Sequence, residues 1–97
     1  MLKLVFHPDI GQEIKAAYDW YQEKATGLGD DFLAELESSY GAILELPETW
    51  PKIRKNFRRF ILSKFPFSVI YKQTLNQVIV IAVMHQSRKP YYWVKRK

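Results

Sequence analysis

The chain has 97 residues, 47% of them hydrophobic and 15% aromatic, which is enough apolar surface to offset chain entropy in one modest core and too little for two, so a single domain over residues 1–97 is expected. It has no cysteine, which excludes disulfides, thiol catalysis and thiolate zinc sites and suits a reducing compartment such as the cytoplasm. The formal net charge is +5, with two histidines and no run of about 18 apolar residues, so neither a histidine metal cluster nor a membrane span is expected.

Leu2 to Phe6 is a short apolar run that reads as a strand. It breaks at His7-Pro8-Asp9 before a signal-peptide core is complete, so no export is expected. Pro8 followed by Asp9 opens a helix, with His7 a capping or surface residue. Apolar residues then recur at Ile10, Ile14, Ala17, Tyr18 and Tyr21, which is the spacing of one helical face, while Glu13, Lys15, Asp19 and Glu23 take the other sides. The helix should end near Ala25. Gly27-Leu28-Gly29 is a breaker, and Asp30 and Asp31 behind it favour the start of a second helix. The buried face of that helix is Phe32, Leu33, Leu36, Tyr40, Ile43 and Leu44. Two amphipathic helices on so short a connection form an antiparallel hairpin that needs a sheet to cover it.

Pro47 and Pro51 end the helical half, with Lys52, Arg54 and Lys55 in a loop beyond them. Strand-like runs follow at about Phe57 to Lys64, Phe67 to Gln73 and Val78 to His85, with Thr74 to Gln77 as a hairpin turn. The last run is apolar on both faces, which marks a strand at the sheet centre. The long connection between the first and last strands allows them to pair in parallel. The expected architecture is therefore α+β, β-α-α-β-β-β, with a two-helix hairpin packed on a mainly antiparallel four-stranded sheet. Trp20 and Trp50 are assigned to packing, Trp93 to a lid on the core, and the basic tail after Trp93 is expected to fray.

Division at Trp50 sharpens the charge. Before it stand ten acids and three lysines, a net of −7; after it stand twelve cations and no acid, a net of +12. Such a segment projects a positive potential toward an anionic partner, nucleic acid or an acidic protein segment. The alternative is that these cations pair with the helical carboxylates.

This order of elements, together with Trp50-Pro51, Arg58-Arg59-Phe60, Phe65-Pro66-Phe67 and the ending His-x-x-Arg-x-Pro-x-Tyr-Trp over His85 to Trp93, resembles the RelE/ParE toxin superfamily. The ending looks more like the ParE or plasmid-stabilisation branch than the RelE ribonuclease branch. The resemblance implies the toxin of a type II toxin-antitoxin module, blocked by a partly disordered, often acidic antitoxin in a hetero-oligomer, with no metal or cofactor.

The superfamily holds two mechanisms, so whether the chain is an enzyme stays open at this point. ParE-type members bind and poison DNA gyrase. Ribonuclease members cut messenger RNA on the ribosome without a metal, which needs a base, an acid and cations for the developing charge. In that reading His85, Arg88 and Tyr91 are the catalytic candidates, His85 because imidazole titrates near neutrality. Lys52, Arg54, Lys55, Arg58, Arg59 and Tyr92 would hold target or phosphate. Arg58 and Arg59 are adjacent in a strand and point to opposite faces, so one of them is left to solvent or a helix carboxylate. His85 has a plainer reading too, as a residue that fixes the tyrosine-rich tail. A non-toxic nucleic-acid-binding module is the third class the charge permits.

Overall fold

In the computed structural model, which describes residues 2–96, the apolar start of the chain is strand β1 (Lys3–Phe6) and the two amphipathic runs are helices α1 (Ile10–Lys24) and α2 (Leu28–Glu45). Four strands follow: β2 (Lys52–Arg54), β3 (Phe57–Ile61), β4 (Phe67–Gln73) and β5 (Gln77–His85). They form one sheet in the order β1-β5-β4-β3-β2, with β1 parallel to β5 and every other pair antiparallel.

α2 begins two residues ahead of Asp30, because Gly27 turns the chain at φ 88, a left-handed conformation that costs glycine little. Asp30 and Asp31 then fall in the first turn, near the positive end of the helix. Gly29 serves a different purpose. A Cβ there would lie 2.7 Å from Gln22 Cγ and 2.8 Å from the Tyr18 carbonyl oxygen, so the hairpin closes only over a bare backbone. Gln22 Oε1 accepts the Gly29 N–H at 2.7 Å in that gap.

The sheet has a fifth strand that the sequence pattern did not announce. Lys52-Ile53-Arg54 contains a single apolar residue, too little for a period, yet it pairs with β3 across a turn in which Lys55 has φ 51. The prolines therefore lead into an edge strand and not a loop.

Beneath the helices lies a core of Phe32, Leu36, Ile43, Val69, Tyr71, Val78 and Val80, with Tyr21, Phe32, Phe65 and Phe67 in edge and tilted aromatic contacts. The other face of the sheet carries a second cluster, Ile70, Ile81, Ala82 and Trp93. β5 lies inside the sheet and is apolar on both faces, but the central position expected of it belongs to β4, which is buried from Phe67 to Tyr71, while β5 has β1 beside it only as far as Val80. Its register slips between Ile70 and Tyr71, which face Ala82 and Val80, so Ile81 is an extra residue. This bulge turns both Ile81 and Ala82 to the outer cluster and returns Val83 to the helix side.

The tail does not fray within the described residues. Turns held by Val94 N–H to Tyr91 O (3.0 Å) and Arg96 N–H to Trp93 O (2.9 Å) lay it across the outer face, where Trp93 is 1% exposed. What a periodicity search reads as a basic terminus is a plug for the second cluster.

Candidate functional site

Every carboxylate side chain lies before Trp50, on the helices and their flanks, and β1 has none, so the strands and the tail form a layer without acidic side chains. Among the described residues the ion pairs are Lys15–Asp19 at 2.6 Å, His7–Asp9 at 3.9 Å (if His7 is protonated), Arg96–Asp9 at 3.6 Å and Arg96–Glu13 at 3.1 Å. Of the described residues, Arg96 is thus the one cation of the basic half ion-paired with a helical carboxylate. Side-chain ion pairs between the acidic and basic halves are, among the described residues, confined to one corner.

That corner is built on Glu13. β1 accompanies β5 only as far as Val80, whose carbonyl accepts the His7 N–H, and beyond it the edge of β5 has no strand beside it. Glu13 Oε1 accepts the Val83 N–H at 3.0 Å, and Arg96 Nη1 donates to the Ile81 carbonyl at 3.1 Å, so side chains cap the bare edge. The other Glu13 oxygen accepts from Arg96 and from the Tyr92 hydroxyl. Burial, followed by the bond to Glu13 and its charge, pushes the Tyr92 hydroxyl well above the ordinary tyrosine range. Burial opposes the charge on Arg96, but Glu13, Tyr92 and Asp9 together raise its proton affinity. Sequence reasoning placed Glu13 on a solvent face. It stands three residues after Ile10 and four before Ala17, on the buried stripe, and that position was the available signal.

His85 projects to the helix side, its ring perpendicular to that of Phe67 with centroids 5.0 Å apart. Its Nδ1 accepts the Ser87 N–H at 3.0 Å, with Ser87 Oγ at 2.8 Å. With Arg88 it lines a groove of about 360 Å³ between α1 and the end of β5, floored by Ala16, Ala17, Phe67 and Val83. Trp20 forms the opposite lip. It is 56% exposed with Lys24 Nζ 4.6 Å from its ring, so it is not the core residue expected. Trp50 does pack, tilted on Phe60 at 4.7 Å. Arg88 stacks on Tyr92 with its guanidinium carbon 3.9 Å from the ring centroid.

Tyr91 lies elsewhere. It has φ 64, and Arg54 of β2 sits over its ring at 5.0 Å. β2 and β5 are separated by β3 and β4, so the sheet sets the Arg54–Tyr91 pair about 14 Å from the β5 edge. Arg58 points to the helix side and donates to the carbonyls of Trp50 (2.6 Å) and Glu48 (3.2 Å), so its partners are main-chain oxygens and not a helix carboxylate. Arg59 points outward and is exposed; Lys52 and Lys55 are exposed at the β2 rim. The candidates therefore fall into two sets, His85, Arg88 and Tyr92 around α1 and Arg54, Arg59 and Tyr91 on the outer face. Among the described residues no three His, Cys, Asp or Glu side chains are grouped to hold a metal, and no helix is long and apolar enough to cross a membrane.

A two-helix hairpin on a mainly antiparallel sheet, with a cationic strand layer free of acidic side chains, is the build expected of a small toxin of the RelE/ParE type. The family model for the ParE toxin of type II toxin-antitoxin systems, parDE, matches residues 4–90, and the chain belongs to that family. Among solved structures it is similar to a chain of the chromosomal ParDE TA system from P. aeruginosa, with a TM-score of 0.77 over 88% of this chain and 96% of that one at 13% identity, a likeness of fold. No curated protein matches in sequence.

Proposed function

We propose that the chain is the growth-inhibiting toxin of a type II module, neutralised by a cognate antitoxin in the cytoplasm, and that it acts by binding a large target such as DNA gyrase without cutting RNA. The observation that carries this reading is the division of the nuclease candidates. Phosphodiester cleavage needs its base, acid and cations within hydrogen-bond reach of one phosphate. Here His85 and Arg88 line the α1 groove, while Tyr91 stands across the sheet with Arg54. His85 Nδ1 is already occupied by the Ser87 N–H. The P. aeruginosa system, named for both its components, supports an antitoxin as the partner. The groove suits a segment that alternates apolar anchors with carboxylates, the former for its floor and the latter for Arg88.

Growth should stop when the chain is expressed alone and continue when the neighbouring reading frame is expressed with it. With purified protein, trapped gyrase–DNA complexes and intact message on translating ribosomes are expected. Message cleavage that disappears in His85→Ala or Arg88→Ala would overturn the binding mechanism in favour of a ribonuclease.

A further inference from the structure

The outer face of the sheet carries a second surface, separate from the α1 groove. Cross-strand register puts Phe57 between Arg54 on β2 and Lys72 on β4, and Arg59 opposite Ile70 one step along the same face. Arg59 and Lys72 are thus diagonal neighbours, about 7–8 Å apart. Arg54 and Lys72 are two strand spacings apart, about 10 Å. Three cations therefore ring one aromatic side chain across roughly the rise of three nucleotides on a duplex strand.

Their surroundings favour an anion. No acidic side chain belongs to the strands or the tail, and Asp9 and Glu13 are engaged with Arg96 at the far edge of the sheet. The floor is aromatic: Phe57 packs on Trp93 with centroids 4.9 Å apart, Lys72 Nζ lies 5.9 Å from the Phe57 ring, and Tyr91, 43% exposed, rests beside Trp93. An acidic peptide draws most of its affinity from apolar anchors in a cleft, and the cleft is on the other side of the sheet. Cations interleaved with aromatic rings, here the half-buried Phe57 and the exposed Tyr91, are instead how proteins hold a phosphate backbone without reading its sequence.

The geometry points to a nucleic-acid backbone site on the outer sheet face, formed by Arg54, Arg59 and Lys72 around Phe57 with Tyr91 at its rim. It stands independently of which target the toxin poisons. A nucleoprotein target would be gripped partly through its nucleic acid.

Fluorescence anisotropy of the full chain with a labelled 20-nucleotide DNA, over a series of salt concentrations, tests this. The logarithm of affinity should fall linearly with the logarithm of salt. Arg59→Gln with Lys72→Gln should weaken binding about tenfold at low salt and lower the slope by about two, one for each phosphate contact. Lys15→Gln with Lys24→Gln, on α1, changes net charge equally and should leave the curve where it was. Should the first pair melt early, Arg54→Gln with Arg59→Gln replaces it. Equal effects of the sheet and helix pairs, no binding at low salt, or competition by polyglutamate as effective as unlabelled DNA at equal charge would each overturn the site.

Discussion

At the scale of single residues, two carboxylates on the helices act as main-chain ligands. Glu13 holds Val83 N–H, Tyr92 and Arg96, and its side chain is 10% exposed. Glu13→Ala takes from the half-buried Arg96 guanidinium its nearer carboxylate, although Asp9 and the Ile81 carbonyl remain, and leaves a strand N–H unpaired, so a loss of about 2 kcal/mol is expected in denaturant melts. The Glu13→Ala, Arg96→Ala double variant should lose clearly less than the sum of the two singles, since each removes the same contact. Glu35 works on the β3–β4 turn, accepting Ser63 N–H at 2.5 Å, Ser63 Oγ–H at 2.9 Å and Lys64 N–H at 3.1 Å. Burial would raise its pKa, but these bonds and the Lys64 charge hold it below the ordinary value of 4.5. A depressed carboxylate contributes stability above its unfolded pKa and loses it as pH falls through the folded one. The melting-temperature gap between the chain and Glu35→Gln should therefore be full at pH 7 and close as pH drops below about 4.5. Neither tie is readable from local pattern. The stripe betrays Glu13 as misplaced, but its partner Tyr92 lies 79 residues on, a pairing that only the assembled sheet creates.

At the scale of elements, the two glycines of α2 make opposite predictions. Alanine is the better helix former by about 1 kcal/mol, so Gly41→Ala, with nothing within 4 Å of the new methyl, should raise the melting temperature. Gly29→Ala meets the Tyr18 carbonyl oxygen at 2.8 Å, and the strain, about 1–3 kcal/mol, should outweigh that gain and lower it. For the tail, Trp93→Ala empties the second cluster and should cost about 3–5 kcal/mol. The same variant should make residues after Pro90 the first site of limited proteolysis. The helices and their hairpin were legible in the sequence because their apolar residues repeat with a period, and the strands from Phe57 onward because they are short runs rich in apolar residues bounded by turn residues. Trp93 was legible as a lid, but β2 and the course of the chain after Trp93 were not, since Ile53 is an isolated apolar residue and the turns that hold the tail depend on the sheet beneath them.

For the whole molecule, an anionic helical layer backs a cationic sheet. The imbalance itself was plain from a residue count. Its division between two faces was not, because Ile81 breaks the alternation of β5 and register alone fixes which side each later residue takes. An acidic antitoxin approaching this field should bind with an on-rate that falls steeply as ionic strength rises from about 10 to 150 mM, while its off-rate stays nearly constant, as stopped-flow mixing would show.

The pairing of Lys3–Phe6 with Gln77–Val80 has a consequence for synthesis. A chain that stops just short of Gln77 has both helices and the strands β1, β2, β3 and β4 but lacks the strand that joins β1 to β4. Such a fragment has no way to close its sheet, and it should be cut more readily by protease than the whole chain. The native sheet is thus reached only by chains that extend through β5.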